Sequence, residues 1–129
     1  MKKELLIDLA IDFASPVPVY DQIKRIIKYA IAKKTLVEEE PLPSIRELAA
    51  FLKINPNTVA RAYRELNQEK VIGGRAGKGF WVARIENPEE KNTELLKEAF
   101  LKFLEKAVGM GFSPDAIKSM IDDFFTEGQ

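Results

Sequence analysis

The chain contains neither cysteine nor histidine. Without cysteine it can form no disulfide and offers no thiolate to a metal, and without histidine it lacks the commonest metal ligand and general base. The sequence contains no run of about 18 apolar residues, the length needed to cross a membrane. Asp8 and Asp12 interrupt the apolar run that follows Lys2 and Lys3. We therefore expect a cytoplasmic protein with no membrane partner, no signal peptide and no zinc or thiol chemistry.

Net charge is also absent, since 20 basic and 20 acidic side chains balance over 129 residues. The charges are nevertheless segregated along the chain. Residues 1–40 are neutral, residues 41–84 carry eight basic and three acidic side chains, and residues 85–129 carry five and ten. Phosphate binding needs local cations, and the Debye length of about 8 Å at physiological salt keeps a distant acidic segment from cancelling them. The basic middle segment is therefore either a nucleic-acid interface or an ordinary solvated surface.

The basic segment predicts two short helices. Ser44 followed by Glu47 is a capping box. Apolar residues then recur at helical spacing, namely Ile45, Leu48, Ala49 and Leu52. Asn55 and Pro56 start the next helix, because asparagine accepts from free N–H groups and proline lacks the N–H that would stay unpaired. The apolar stripe of this helix consists of Val59, Ala62, Tyr63 and Leu66. Only residues 53–55 separate the helices, which predicts a helix-turn-helix whose second helix can enter a DNA major groove.

A hairpin is predicted after these helices. Residues 71–72 and 80–82 read as strands, and the glycine-rich loop between them carries Arg75 and Lys78. A helix-turn-helix followed by such a hairpin is a winged helix. The loop is not a nucleotide-binding P-loop, because Ile72 and Gly79 stand where that motif needs glycine and Ser or Thr. No nucleophile-base pair or carboxylate cluster can be assembled either, so we expect neither an enzyme nor a cofactor.

Four motifs in order resemble the GntR-type winged-helix transcription regulators, and within them the small YtrA-like branch. They are residues 18–23 (PVYDQI), 42–49 (LPSIRELA), 55–66 (NPNTVARAYREL) and the wing tip 77–79 (GKG). The resemblance implies a homodimeric repressor of nearby genes, often transporter operons, that binds double-stranded DNA. It also implies that Arg46 reaches DNA. The alternative class is a winged helix that binds protein, which should present an apolar patch where this chain has Asn57, Arg61 and Arg64.

Ten residues are candidates for DNA binding: Ser44, Arg46, Asn55, Asn57, Thr58, Arg61, Arg64, Arg75, Gly77 and Lys78. Taking about 100° per residue, the polar residues of the second helix lie opposite its apolar stripe. Some candidates have a competing structural role. Arg46 alternatively lies over Ile45 and Leu48, and Ser44, Asn55 and Thr58 serve as cap or first-turn residues.

The N-terminal part completes the predicted winged-helix domain, residues 1–84. Apolar and polar residues alternate over residues 5–13, which predicts a half-buried strand that pairs with the hairpin or with a partner chain. The first helix is predicted to follow Pro18 and to run to about Lys34. Glu38, Glu39 and Glu40 are expected to form a solvated acidic loop.

After a polar linker at residues 85–91, residues 92–127 predict two helices broken by Gly109 and Gly111. Two helices cannot bury this many large apolar side chains, so we expect self-association. The proposed dimerisation residues are Leu96, Phe100, Phe103, Ile117, Ile121 and Phe124. This unit leaves little room for an effector pocket. A small ligand site between subunits remains an alternative. The predicted fold is mostly α with a small β hairpin.

Overall fold

The computed structural model describes residues 10–84 and 90–127. These residues fall into two compact units, one within residues 10–84 and one within residues 90–127. The elements are α1 (Val19–Ala32), α2 (Ile45–Leu52), α3 (Pro56–Gln68), β1 (Ile72–Arg75), β2 (Gly79–Val82), α4 (Glu90–Gly109) and α5 (Pro114–Glu127). Helices and a single antiparallel hairpin over the described residues confirm the mostly α fold with a small β component.

The first unit packs α1 and α2 against α3. The predicted stripe of α3 is fully buried, as are Ile23 and Ile27 on α1. Tyr63 lies at the centre of this core, where its hydroxyl donates to the Pro43 carbonyl at 2.8 Å and its ring meets Phe80 edge-on. Burial, and secondarily the charge of Glu47, raises the pKa of the Tyr63 phenol. Tyr63 is therefore a core residue that joins α3 to the segment before α2.

Both predicted helix starts of the helix-turn-helix are confirmed. Ser44 Oγ accepts the Glu47 N–H at 3.0 Å, while Glu47 Oε1 accepts the Ser44 N–H at 3.4 Å. Asn55 Oδ1 accepts the Asn57 N–H at 2.8 Å, and Pro56 occupies the first turn of α3. Between the helices, Lys53 adopts a left-handed conformation with φ of 57°, which turns the chain sharply.

The hairpin pairs Ile72 with Val82 and Arg75 with Gly79. The backbone of residues 39–42 lies along the outer edge of β2, where the Leu42 N–H donates to the Phe80 carbonyl at 2.9 Å and the Val82 N–H donates to the Glu40 carbonyl at 2.9 Å. The side chains of Glu38 and Glu39 are exposed, as expected for a solvated acidic loop, whereas Glu40 is half-buried and its Oε1 accepts the Val37 N–H at 3.0 Å. The backbone of this loop, however, also extends the sheet.

Two predicted boundaries differ from the structure. The predicted strand at residues 5–13 lies largely outside the described residues, and its described end, residues 10–13, is loop and turn. The side chain of Gln22 pairs with the Asp12 N–H and carbonyl, each at 2.9 Å, so these groups need no strand partner. Helix α1 ends at Ala32 and does not reach Lys34, because Lys34 has a positive φ of 63°.

The second unit consists of α4 and α5, joined by a turn at Gly111, which has a φ of 93°. Ser113 Oγ accepts the Ala116 N–H at 3.2 Å and caps α5. Ala107 and Ile117 are the buried apolar residues among the described side chains of this unit. Over the described residues, neither these helices nor the others combine the length and apolar character needed to cross a membrane.

Candidate nucleic-acid interface

Four of the predicted DNA-binding residues are exposed cations whose side chains have no partner among the described residues. Arg46 lies in the first turn of α2, Arg64 on the outer face of α3, and Arg75 and Lys78 on the wing. Within residues 10–84 and 90–127, none of the four side chains forms a hydrogen bond or ion pair. Their N–H groups are thus available to phosphate or base acceptors.

A groove of about 520 Å³ separates the recognition helix α3 from the wing. Its lining residues are Ile45, Ala60, Arg64, Asn67, Gln68, Arg75, Ala76 and Phe80. Arg64 and Arg75 border the groove from different elements. Two guanidinium groups at one groove favour an anionic ligand, since each presents several N–H donors in a fixed plane.

Arg61 was predicted to bind DNA from the exposed face of α3, and the structure shows that it also contacts α1. Its guanidinium carbon lies 3.8 Å from the ring centroid of Tyr20, and its Nη2 donates to the Tyr20 hydroxyl at 3.1 Å. Its Nε donates to Glu65 Oε2 at 3.0 Å, and about half of the side chain, 52%, stays exposed. The hydrogen bond to Glu65 raises the pKa of Arg61.

Glu65 belongs to an ion-pair network that links α1 to α3. Lys24 Nζ lies 3.0 Å from Glu65 and 2.9 Å from Glu69, and Lys28 lies 2.7 Å from Glu69. Hydrogen bonds from Lys24 and then Arg61 lower the pKa of Glu65, and hydrogen bonds from Lys28 and then Lys24 lower that of Glu69. The hydrogen bonds to Glu69 and Glu65 raise the pKa of Lys24.

The remaining candidates lie at the helix starts and the wing tip. The side chains of Ser44 and Asn55 cap helices, while Thr58 is half-buried in the first turn of α3. Asn57 is exposed next to the cap. Gly77 has a φ of 84°, and a β-carbon added to it would meet no atom within 4 Å, so the wing has an open tip. The structure thus keeps these groups at the surface, with two of them already engaged in capping.

Sequence reasoning missed three partners that shape this surface. Tyr20 and Glu65 hold Arg61, and the Asn67 side-chain amide donates to the Gly74 carbonyl at 2.8 Å, which ties α3 to the wing. Tyr20 lies 41 positions before Arg61. Periodicity along one helix reports which face is buried, but it carries no signal for a contact between such distant positions.

The proposed dimerisation residues differ in exposure. Leu96 is 70% exposed, and Phe100, Phe103 and Ile121 are also exposed, whereas Phe124 is partly covered. Ile117 is only 4% exposed within the single chain. Its place inside the helix pair indicates that it stabilises the unit itself and offers little surface to a partner.

A capped helix-turn-helix, a hairpin tied to its second helix and a row of exposed arginines define a winged-helix DNA-binding protein. Residues 19–82 match the family described as bacterial regulatory proteins, gntR family. The chain belongs to the GntR family. It is therefore a DNA-binding transcription regulator and not an enzyme, as the sequence predicted.

Individual relatives agree with this membership. The chain is 33% identical over 117 residues to the HTH-type transcriptional regulator YhcF of Bacillus subtilis, covering 90% of this chain and 96% of the relative. It is 39% identical over 75 residues to the HTH-type transcriptional repressor YtrA of Bacillus subtilis, covering 58% of each. Among solved structures, a transcriptional antiterminator from Listeria monocytogenes EGD-e superposes with a TM-score of 0.73 at 31% identity, covering 90% of this chain and 91% of that one. The predicted YtrA-like resemblance is confirmed.

Proposed function

We propose that this regulator is a homodimeric repressor that binds an inverted-repeat operator. The observation that carries the proposal is the apolar surface of the second unit. Its exposed large apolar side chains are Leu95, Leu96, Phe100, Leu101, Phe103, Val108, Met110, Phe112, Met120, Ile121 and Phe125. Burying one Leu or Phe contributes roughly 1.5–3 kcal/mol of transfer free energy, so a few of them offset the entropic cost of association.

Dimerisation sets the operator geometry in this proposal. A two-fold pair presents two copies of α3 to successive major grooves, so the half-site centres lie about 10–10.5 bp apart or at a multiple of that distance. The similarity to a repressor supports repression as the outcome. The YtrA-like resemblance extends the proposal to nearby genes, with transporter operons as the first candidates.

The proposal assigns a different role on DNA to each set of exposed groups. Arg46 and Arg64 read bases, while Arg75 and Lys78 bind phosphates and the open tip at Gly77 approaches the minor groove. Asn57, Thr58 and Arg61 contact DNA from α3, and Ser44 and Asn55 add phosphate contacts next to their caps. Protein binding would need an apolar patch on this face, where Arg46, Arg64 and Arg75 are exposed instead.

The proposed domain organisation follows the same division. Residues 1–84 form the DNA-binding domain, residues 85–91 link it to the second unit, and residues 92–127 form the dimer contact. In this division the basic excess belongs to the DNA-binding domain and the acidic excess to the second unit.

A single exposed side chain tests the dimer. Leu96→Asp adds a charge to a surface position, so α4 and α5 should still pack, but the dimer should dissociate at concentrations where the unmodified chain is dimeric. Light scattering gives the mass, and titration of an inverted-repeat duplex, selected by the protein from fragments of its source genome, gives the affinity. The control is Lys102→Asp on the same helix, which should change neither.

The outcomes separate the parts of the proposal. A monomer that binds the full repeat much more weakly than the dimer supports it, because the second half-site loses its high effective concentration. If Leu96→Asp stays dimeric and binds as tightly as the unmodified chain, the dimer contact lies outside this surface. If selection returns single half-sites without repeats, the operator geometry is wrong.

A further inference from the structure

We infer that Tyr20 is a positioning residue for DNA binding: it holds Arg61 over α1 in the pose that Arg61 uses on DNA. The inference rests on the proposed contact between Arg61 and DNA. It adds a residue of α1, outside the helix-turn-helix, to the determinants of affinity.

The contacts of Arg61 leave part of its hydrogen-bonding capacity free. A guanidinium carries five N–H donors in one plane. The Nε–H goes to Glu65 and one Nη2–H goes to the Tyr20 hydroxyl. The two Nη1–H groups and the second Nη2–H remain, on a side chain that is 52% exposed. Such a group can bind a phosphate in two-point fashion without releasing Tyr20 or Glu65.

Charge balance favours the same role. If Arg61 were the only cation paired with Glu65, the pair would be neutral and would not attract phosphate. However, Lys24 contacts Glu65 Oε1 at 3.0 Å while Arg61 contacts Oε2 at 3.0 Å, so one carboxylate is shared between two cations. Glu69, which also binds Lys24, is in turn paired with Lys28. The cluster of three cations and two carboxylates is thus positive, and Arg61 is its exposed member on α3.

The tyrosine ring supplies the orientation. A guanidinium over an aromatic face is stabilised, and here its carbon lies 3.8 Å from the ring centroid. This contact and the hydrogen bond to the Tyr20 hydroxyl restrict the conformations of the side chain. An arginine that is already ordered loses less rotamer freedom when it binds DNA. A free Arg61 would have to be ordered by DNA itself, at the expense of affinity.

Three variants of the full chain test this role on a duplex selected by the protein from a random-sequence pool. Tyr20→Leu should weaken binding about two- to fivefold, the range expected for one exposed cation–aromatic contact. Because Arg61 keeps its charge, the salt dependence should become shallower by less than the roughly one unit expected for Arg61→Ala. Tyr20→Phe keeps the ring and should bind within about twofold of the unmodified chain.

The double variant shows whether Tyr20 acts through Arg61. Arg61→Ala alone should weaken binding about tenfold, and adding Tyr20→Leu should weaken it no further. Ile26→Ala, which also trims a partly buried residue of α1, is the matched control. It should lower the unfolding temperature but leave both the affinity and the salt dependence unchanged.

Each other result overturns the inference in an identifiable way. If Arg61→Ala binds like the unmodified chain, Arg61 does not contact DNA, and the proposed role of Tyr20 is wrong as well. If Arg61→Ala is weakened but Tyr20→Leu is not, Arg61 binds DNA without Tyr20. Tyr20→Leu could weaken binding as much in the Arg61→Ala background as in the unmodified chain, or Ile26→Ala could weaken binding as much as Tyr20→Leu does. Either result would show that Tyr20 acts only through the stability of α1.

Discussion

The indole of Trp81 on β2 lies across Gly73 on β1, so closely that a β-carbon at residue 73 would fall 2.7 Å from the indole nitrogen. These residues are direct partners in the hairpin register. Glycine at this position therefore provides the space that the indole occupies on the wing.

We predict that Gly73→Ala displaces the indole without unfolding the wing. Trp81 is 42% exposed and can turn outward, so the cost in stability should stay near about 1 kcal/mol. Because Trp81 is the sole tryptophan, a red shift of its fluorescence emission reports the displacement directly. Gly109→Ala, where a β-carbon meets nothing within 4 Å, is the control and should leave the emission unchanged.

Gly74→Ala should be far more damaging. A β-carbon there would lie 2.1 Å from the Gly79 carbonyl oxygen, which is backbone and cannot turn away, and the φ of 114° is unfavourable for alanine. We expect a loss of at least about 2 kcal/mol in the free energy of unfolding, measured by urea titration. Gly77→Ala shares a positive φ but has open space around it, so it should cost clearly less. Equal losses in the two variants would show that the steric contact does not matter.

Asn67→Ala should loosen the wing from the recognition helix. The variant removes the 2.8 Å bond to the Gly74 carbonyl, a contribution of about 0.5–1.5 kcal/mol. DNA affinity should fall, because Arg75 and Lys78 are then held less firmly with respect to Arg64. Asn67→Asp should have a larger effect than Asn67→Ala. Its carboxylate can only accept hydrogen bonds and therefore repels the Gly74 carbonyl. Calorimetric unfolding and DNA titration measure both effects; unchanged affinity in Asn67→Asp would contradict this role.

Lys78→Ala should weaken all duplexes similarly and make the salt dependence shallower by about one unit, because a phosphate contact releases one counterion. Mobility-shift titrations of a selected and a scrambled duplex at two salt concentrations measure this. Lys118→Ala removes the same charge from α5 and is the control. A change of sequence preference in Lys78→Ala would instead indicate a base contact.

The network of Lys24, Lys28, Glu65 and Glu69 predicts a dependence of stability on pH. The carboxyl pKa values lie below the ordinary 4.5 in the folded chain, so their contribution is present above that value and is lost as pH falls through the lowered pKa values. The pKa of Lys24 is raised above 10.5, so its contribution is complete below that value and is lost as pH rises through the raised pKa.

The double variant Glu65→Gln, Glu69→Gln should therefore lose less stability than the unmodified chain between about pH 7 and about pH 3. Urea unfolding followed by Trp81 emission measures the stability of the unit that holds the network. Glu105→Gln, an exposed carboxyl on α4, should show the unmodified pH dependence. If all three proteins lose stability in parallel, the ion pairs contribute nothing measurable.

The parts of the fold that follow local rules were predictable. The capping box of Ser44 and Glu47, the start of α3 at Asn55 and its buried stripe are each determined by neighbours within one or two helical turns. The exposure of Arg46 and Arg64 follows from the same periodicity. The hairpin was predicted as well, although its strands begin at Ile72 and Gly79 instead of residues 71 and 80.

The remaining features depend on contacts between distant positions. The stacking of Arg61 on Tyr20 and the pairing of residues 39–42 with β2 depend on how the elements pack in three dimensions. The alternation over residues 5–13 matched a strand, yet Gln22 satisfies the backbone of Asp12 from ten positions away. A periodic pattern could not reveal that competing partner.

The strip of backbone at residues 39–42 should also hinder polymerisation through the sheet edge. An open strand edge exposes a ladder of unpaired N–H and C=O groups that can recruit further chains into a growing sheet. Here the carbonyls of Phe80 and Val82 already accept from the Leu42 and Glu39 N–H groups, so the outer edge of β2 is occupied. On the other strand, the Gly74 carbonyl is occupied by Asn67. The outer edge of the wing should thus be a poor template for amyloid-like growth.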